Sequence, residues 1–172
     1  MYKIPNLDKI LGFKHYISTV DDGNMSTLFC DEAKVLQNRR RFLEKCDIEE
    51  QDIAYMYSKE VHNKFIVVDK NSKDLGIIEP YGIKADGIIT SDPNIALMLI
   101  VGDCITTLFY DPISHAIGIA HCGTKWIDNG TAEKTISLME KQFQTNPKNL
   151  IVGIGPSIFI GVQNSYSNEP IN

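Results

Sequence analysis

Apolar residues fall along the chain in short blocks separated by polar and turn-forming clusters, and the period changes from block to block. Residues 12–20 (GFKHYISTV) concentrate aromatic and β-branched side chains and predict an early strand, closed by the turn cluster Asp21-Asp22-Gly23-Asn24. From Asp31 the period lengthens. Val35, Leu36, Phe42, Leu43 and Cys46 recur at spacings of seven and four, which predicts a helix from an Asp31 N-cap to about Cys46. Asn38 to Arg41 fall mid-helix and read as a solvated basic face. Residues 53–58 and 64–69 then read as strands, 71–74 as a turn and Gly87 to Thr90 as a strand. Ile95 to Val101 is a continuous apolar run, helix or strand by period alone. Ile105 to Tyr110 and Ala116 to Ala120, joined through Asp111-Pro112, predict a hairpin. A helix follows from Trp126 to Gln144 on a stripe of Ile127, Ile136, Met139 and Phe143, and then a buried strand, Asn149 to Ile154. Strands interrupted by two helices predict a layered α/β (α+β) domain: one mixed β-sheet with flanking helices, a single domain over residues 1–172. The polar end of the chain is expected to fray.

Composition narrows the class. The chain has 172 residues, 43% apolar and 23% charged, enough for one domain with a real core. A net charge of −5 offers no basic footprint, so no nucleic acid and no membrane surface is expected as a partner. No apolar run approaches the ~20 residues of a membrane span, and the N-terminus lacks the pattern of a signal peptide. A cytoplasmic location is therefore expected, where thiols stay reduced. The four cysteines are irregularly spaced, so a functional one would act as a thiol or metal ligand.

Three residues stand where strands are expected to end: His62, Cys104 and His121. One thiolate and two imidazoles suit zinc or copper, and three protein ligands with one open position describe a catalytic zinc site. Their spacing matches no zinc finger. Alternatively Cys104 is a nucleophile with His121 as its base. Asp103 does not easily complete that set, because strand neighbours point to opposite faces. The same alternation makes Cys122 a small core residue beside His121. His115 reads as a solvated loop histidine and His15 as strand packing or a pocket wall. The junction His121-Cys122-Gly123-Thr124-Lys125 passes from strand to helix, where free N–H groups and the Lys125 charge could hold phosphate.

Taken in order, Ala85-Asp86-Gly87-Ile88-Ile89-Thr90, Gly102-Asp103-Cys104 and His121-Cys122-Gly123 resemble the laccase-domain (YfiH-like) family. That family was once described as multicopper polyphenol oxidases and is now regarded as purine nucleoside phosphorylases. Its ADA-x-x-T, ADC and HAGWRG motifs are the counterparts of these runs. Its QVHG-like element is similar to Glu60-Val61-His62-Asn63, its NRR segment to Asn38 to Arg41, its IGP motif to Ile154-Gly155-Pro156, and its FSTR-x-GG-x-S segment to Tyr16 through Ser26. The matches run from about residue 13 to 160.

The resemblance implies a Zn²⁺ or Cu²⁺ site at His62, Cys104 and His121, which would also be the catalytic residues. It implies phosphorolysis of adenosine, inosine and S-methyl-5′-thioadenosine, with adenosine deaminase activity besides. Purine nucleosides and phosphate would be the partners, with Gly123, Lys125 and Asp103 on the substrate or phosphate. There are departures. Lys125 stands where the family has arginine and lacks its bidentate fork. Val20 replaces a second arginine, and Glu60 and Asn63 replace Gln and Gly. The chain ends soon after the IGP-like motif, so a shortened C-terminus is expected, and an unfinished sheet edge there would favour a homodimer. The alternatives are a metal-binding relative with impaired catalysis, a copper-dependent phenol oxidase and, last, a thiol hydrolase. Four histidines are too few for a multinuclear copper cluster beside the triad.

Overall fold

In the computed structural model, which describes residues 1–28, 30–72 and 82–158, eight strands form two sheets that pack face to face. The elements are α1 (Glu32–Cys46), β1 (Ile53–Tyr57), β2 (Phe65–Val67), β3 (Ile83–Lys84), β4 (Gly87–Thr90), β5 (Ala96–Leu99), β6 (Ile105–Tyr110), β7 (Ile117–Cys122), α2 (Thr124–Asp128), α3 (Thr131–Phe143) and β8 (Ile151–Ile154). One sheet is parallel in the order β3-β1-β5. The other is mixed in the order β2-β4-β7-β6-β8, with β2 parallel to β4 and the remaining pairs antiparallel.

Alternation along the strands explains the layers. In β4, Ile88 faces the space between the sheets, with Ala54, Met56, Val68 and Ile119, while Ile89 faces the opposite way, onto Phe109, Ala120, Cys122 and Met139 of α3. In β1, Ala54 and Met56 enter the inter-sheet core, and Ile53 and Tyr55 pack beneath α1 with Leu43. The order of layers is α1, three-stranded sheet, five-stranded sheet, α3. The layered α/β class is that read from the sequence, with the strands shared between two sheets.

Several local expectations are met. Asp31 caps α1, its carboxylate accepting from Lys34 N at 3.2 Å, and the β6–β7 hairpin pairs from Ile105↔Cys122 to Tyr110↔Ile117. Ile95–Val101 resolves as strand β5 with flanking residues. Others are corrected. Residues 12–20 form no strand; they contribute only the bridge Tyr2↔Ile17. The helix expected over 126–144 is two helices, because Gly130 at φ 67° turns the chain between α2 and α3 and leaves Ile127 exposed. The basic run is not a solvated face throughout. Arg39 is 1% exposed, donates twice to Met25 O (3.0 and 2.9 Å) and lies over the Tyr55 ring. The 71–74 turn begins with Ser72 N donating to Asp69 O, and residues 73 and 74 lie outside the described residues. The chain end expected to fray lies largely outside them as well.

A cleft of about 1210 Å³ opens beside β5, lined by Phe13, Phe42, Leu97, Leu99 and Leu108 among others. His62, Cys104 and His121 are absent from its lining. Among the described residues no helix is long and apolar enough to cross a membrane.

Candidate functional site

His121 is the next-to-last residue of β7 and is buried, on the face of the five-stranded sheet turned toward the end of β1. Its Nδ1 lies 2.8 Å from Ser58 O. A carbonyl only accepts, so Nδ1 carries the proton and Nε2 keeps its lone pair. Burial lowers the His121 pKa, which holds the ring neutral. Nε2 is buried and has no hydrogen-bond partner among the described residues. The ring stacks on Trp126 of α2 at a centroid distance of 3.9 Å.

His62 lies in the loop between β1 and β2, half-buried, and its Nε2 is likewise buried without a partner among the described residues. The loop is held from its backbone. His62 N donates to both oxygens of Asp86, at 3.0 and 3.1 Å, and Asn63 N makes a short bond to Asp86 Oδ2. Asn63 is left-handed (φ 53°), a conformation that Asn tolerates better than most residues, which accounts for Asn where the family motif has Gly.

Cys104 immediately precedes β6 and is half-buried. A Cβ on Gly123 would come within 2.7 Å of its Sγ and 3.0 Å of Trp126 Cε3, so the thiol and the indole occupy the space a side chain at 123 would need. Burial, then the nearby Asp103 charge, raises the Cys104 pKa, so the free thiol is protonated.

Cys104 Sγ packs against Gly123, two residues beyond His121, and Asp86 links the other two: its carboxylate holds the His62 N–H and its carbonyl accepts from His121 N at 3.0 Å. The side chains of Asp103 and Lys125 are exposed. Gly123 is the N-cap of the five-residue α2, and its carbonyl accepts from Trp126 N and Ile127 N. Cys122 is buried in the α3-facing core, as alternation required. His115 is exposed, with Tyr110 Oη 3.3 Å from its Nδ1. His15 is buried, accepts from Ile4 N at 2.7 Å and lines the apolar cleft, so the pocket-wall reading holds, while strand packing does not, since residue 15 lies in no strand.

Asp86, Ser58 and Trp126 were not picked out by residue chemistry. Asp86 offered a signal: a carboxylate between Ala85 and Gly87, amid Ile83, Ile88 and Ile89, must be buried and must therefore be partnered. Ser58 and Trp126 offered none, since their roles arise from contacts across 28 to 68 residues.

Two buried imidazole nitrogens without partners among the described residues, and a thiol packed at Gly123, two residues beyond His121, have the chemistry of a zinc or copper donor set. Among the described residues, no group of three or more His, Cys, Asp or Glu side chains is gathered so as to hold a metal ion. The donor types fit a metal; they are not assembled around one.

Residues 16–165 match the family described as multi-copper polyphenol oxidoreductase laccase, and the chain belongs to that family. Curated relatives include the purine nucleoside phosphorylase YlmD of Bacillus subtilis, 31% identical over 134 residues (74% of this chain, 46% of the relative). The purine nucleoside phosphorylase YfiH of Escherichia coli is 27% identical over 125 residues, covering 72% of this chain and 46% of its own. Among solved structures, YlmD from Geobacillus stearothermophilus superposes with a TM-score of 0.69 at 25% identity, over 78% of this chain and 51% of that one. The chain spans about half the length of these relatives.

Proposed function

We propose that this chain is a metal-dependent purine nucleoside phosphorylase, acting on adenosine, inosine and S-methyl-5′-thioadenosine. The observation that carries the reading is the pair of buried, unpartnered Nε2 atoms of His62 and His121, with the Cys104 thiol packed against the residue between His121 and Trp126. The names of the curated relatives support the same reaction.

His62, Cys104 and His121 would hold Zn²⁺ or Cu²⁺, which when bound supplies Lewis-acid charge stabilisation and a lowered pKa for a coordinated group. Binding requires the thiolate, so metal uptake releases the Cys104 proton. The carbonyl of Ser58 fixes the His121 tautomer that leaves Nε2 free. In phosphorolysis a phosphate oxygen attacks the ribose anomeric carbon. The new C–O bond replaces the glycosidic C–N bond, and the departing purine nitrogen takes up the proton that hydrogen phosphate gives up on becoming the sugar phosphate. Lys125 is the cation assigned to phosphate, as a point charge beside Gly123. Adenosine deamination is a second activity proposed for the same site, and the location proposed is cytoplasmic.

The test is product analysis. Zinc-loaded protein incubated with adenosine and phosphate is expected to yield adenine and ribose 1-phosphate, and to lose turnover and bound zinc together in His62→Ala. Inosine in the products would report the deaminase activity. Intact adenosine from folded, metal-bound protein would overturn the proposal.

A further inference from the structure

We propose that Asp86 is a positioning residue that sets the His62 loop and the His121–Trp126 pair relative to one another, in an inference that rests on the metal reading above. Asp86 is fully buried between β3 and β4. Its main chain already joins the two arms: Asp86 N donates to Lys64 O at 2.9 Å, and His121 N donates to Asp86 O at 3.0 Å. Its carboxylate joins them again. On one side it receives the successive N–H groups of His62 and Asn63. With Asn63 left-handed, these groups form the concave backbone arrangement that binds anions. On the other side it receives Trp126 Nε1 at 2.9 Å, while Ser58 Oγ lies 3.4 Å from Oδ1.

The contacts close on themselves. Trp126 Nε1 also reaches Ser58 Oγ at 3.0 Å, Ser58 O accepts from His121 Nδ1, and the His121 ring stacks on Trp126. Both histidines are thus fixed through one carboxylate. Stability alone is a poor reason to keep it. Among the described residues every hydrogen bond it accepts comes from a neutral N–H or O–H group and no cation pairs with it, and a carboxylate taken out of water in that way carries a large desolvation cost that an apolar side chain would avoid. What the carboxylate does, and an apolar residue cannot, is accept the successive N–H groups of His62 and the left-handed Asn63 and so hold the loop from which the buried His62 Nε2 projects. Partners of this kind commonly change metal affinity 10- to 100-fold when removed.

The experiment titrates Co²⁺ into metal-free protein and follows its visible spectrum, with His62→Ala and Cys104→Ser as controls. Asp86→Asn keeps the shape but turns an amide N–H₂ toward backbone donors. It is expected to weaken Co²⁺ binding about 10- to 100-fold and to alter the ligand-field bands of the ion that still binds, in protein folded by circular dichroism. Trp126→Phe keeps a ring on His121 and removes the indole N–H shared by Asp86 and Ser58. It is expected to shift binding in the same direction by a smaller factor, and it decides the question should Asp86→Asn fail to fold. Folded variants that bind Co²⁺ as tightly as the parent, with an unchanged spectrum, would overturn the role of Asp86 and leave the metal reading standing. Failure of the parent chain to bind Co²⁺, or equal binding by His62→Ala, would overturn the metal reading itself and the inference with it.

Discussion

At the level of single residues, the site depends on who is allowed no side chain and who is allowed no partner. Gly123 is the clearest case. Alanine there would put a methyl group 2.7 Å from Cys104 Sγ and 3.0 Å from the Trp126 ring. Gly123→Ala is expected to cost about 1–3 kcal/mol in denaturant unfolding, the usual range for overpacking a close-fitted spot. Because Sγ is the nearest atom, Cys104→Ala in the same chain should recover part of that loss. Strict additivity of the two substitutions would mean that the thiol is not what Gly123 accommodates. Arg39 teaches the converse. Its neighbours in sequence gave it the look of a solvated cation, yet it is buried with its guanidinium on Met25 O and the Tyr55 ring. No periodicity argument finds such a residue, since its partners come from a loop and a strand outside its helix.

At the level of elements, breaks matter as much as runs. The apolar stripe from Ile127 to Phe143 reads as one helix, and the period alone gives no reason to divide it. Gly130 divides it by adopting φ 67° as N-cap of α3, which lets α2 run separately and carry Trp126 to His121. A Cβ at 130 would meet no closer neighbour than Glu133 Oε2 at 3.6 Å, so the penalty for a side chain is conformational alone. Gly130→Ala is therefore expected to destabilise by about 1–2 kcal/mol, the cost of a left-handed alanine. An unchanged unfolding midpoint would show that the α2–α3 corner relaxes at no cost. The β6–β7 hairpin was legible because both strands and their turn lie within 18 residues. The strand expected over residues 12–20 failed for the opposite reason. Its composition suits a sheet, but it finds only the Tyr2↔Ile17 bridge.

At the level of the whole molecule, Asp22 ties distant parts together and makes their docking pH-dependent. Its buried carboxylate accepts from Thr19 N at 2.8 Å, pairs with Lys45 of α1 at 2.7 Å and lies 3.5 Å from the N-terminal ammonium. The Lys45 ammonium, chiefly, and the Thr19 N–H hold its pKa well below the ordinary carboxylate range. A depressed folded-state pKa means that the unfolded chain takes up the proton first. The contribution is full above the unfolded value, about 3.9, and is lost as pH falls from there through the folded value. Asp22→Asn is expected to be less stable at neutral pH and to show a flatter decline in acid, measured by denaturant unfolding across pH. Parallel curves for the two proteins would refute the assignment.

The sequence by itself determined the layered α/β class, the helix capped by Asp31 and the hairpin, and it singled out His62, Cys104 and His121 as candidate donors together with the family to which the motifs point. These follow from local periodicity, from capping and turn chemistry, and from the order of short motifs. The tertiary structure alone decided the division into two sheets, which depends on β1 pairing with β5 across some 40 residues. It alone buried Arg39, and it alone brought Asp86, Ser58 and Trp126 around the two histidines. A fully buried carboxylate is viable only where donors from several elements converge on it. That convergence is a property of how the sheets pack, and no stretch of the chain read in isolation contains it.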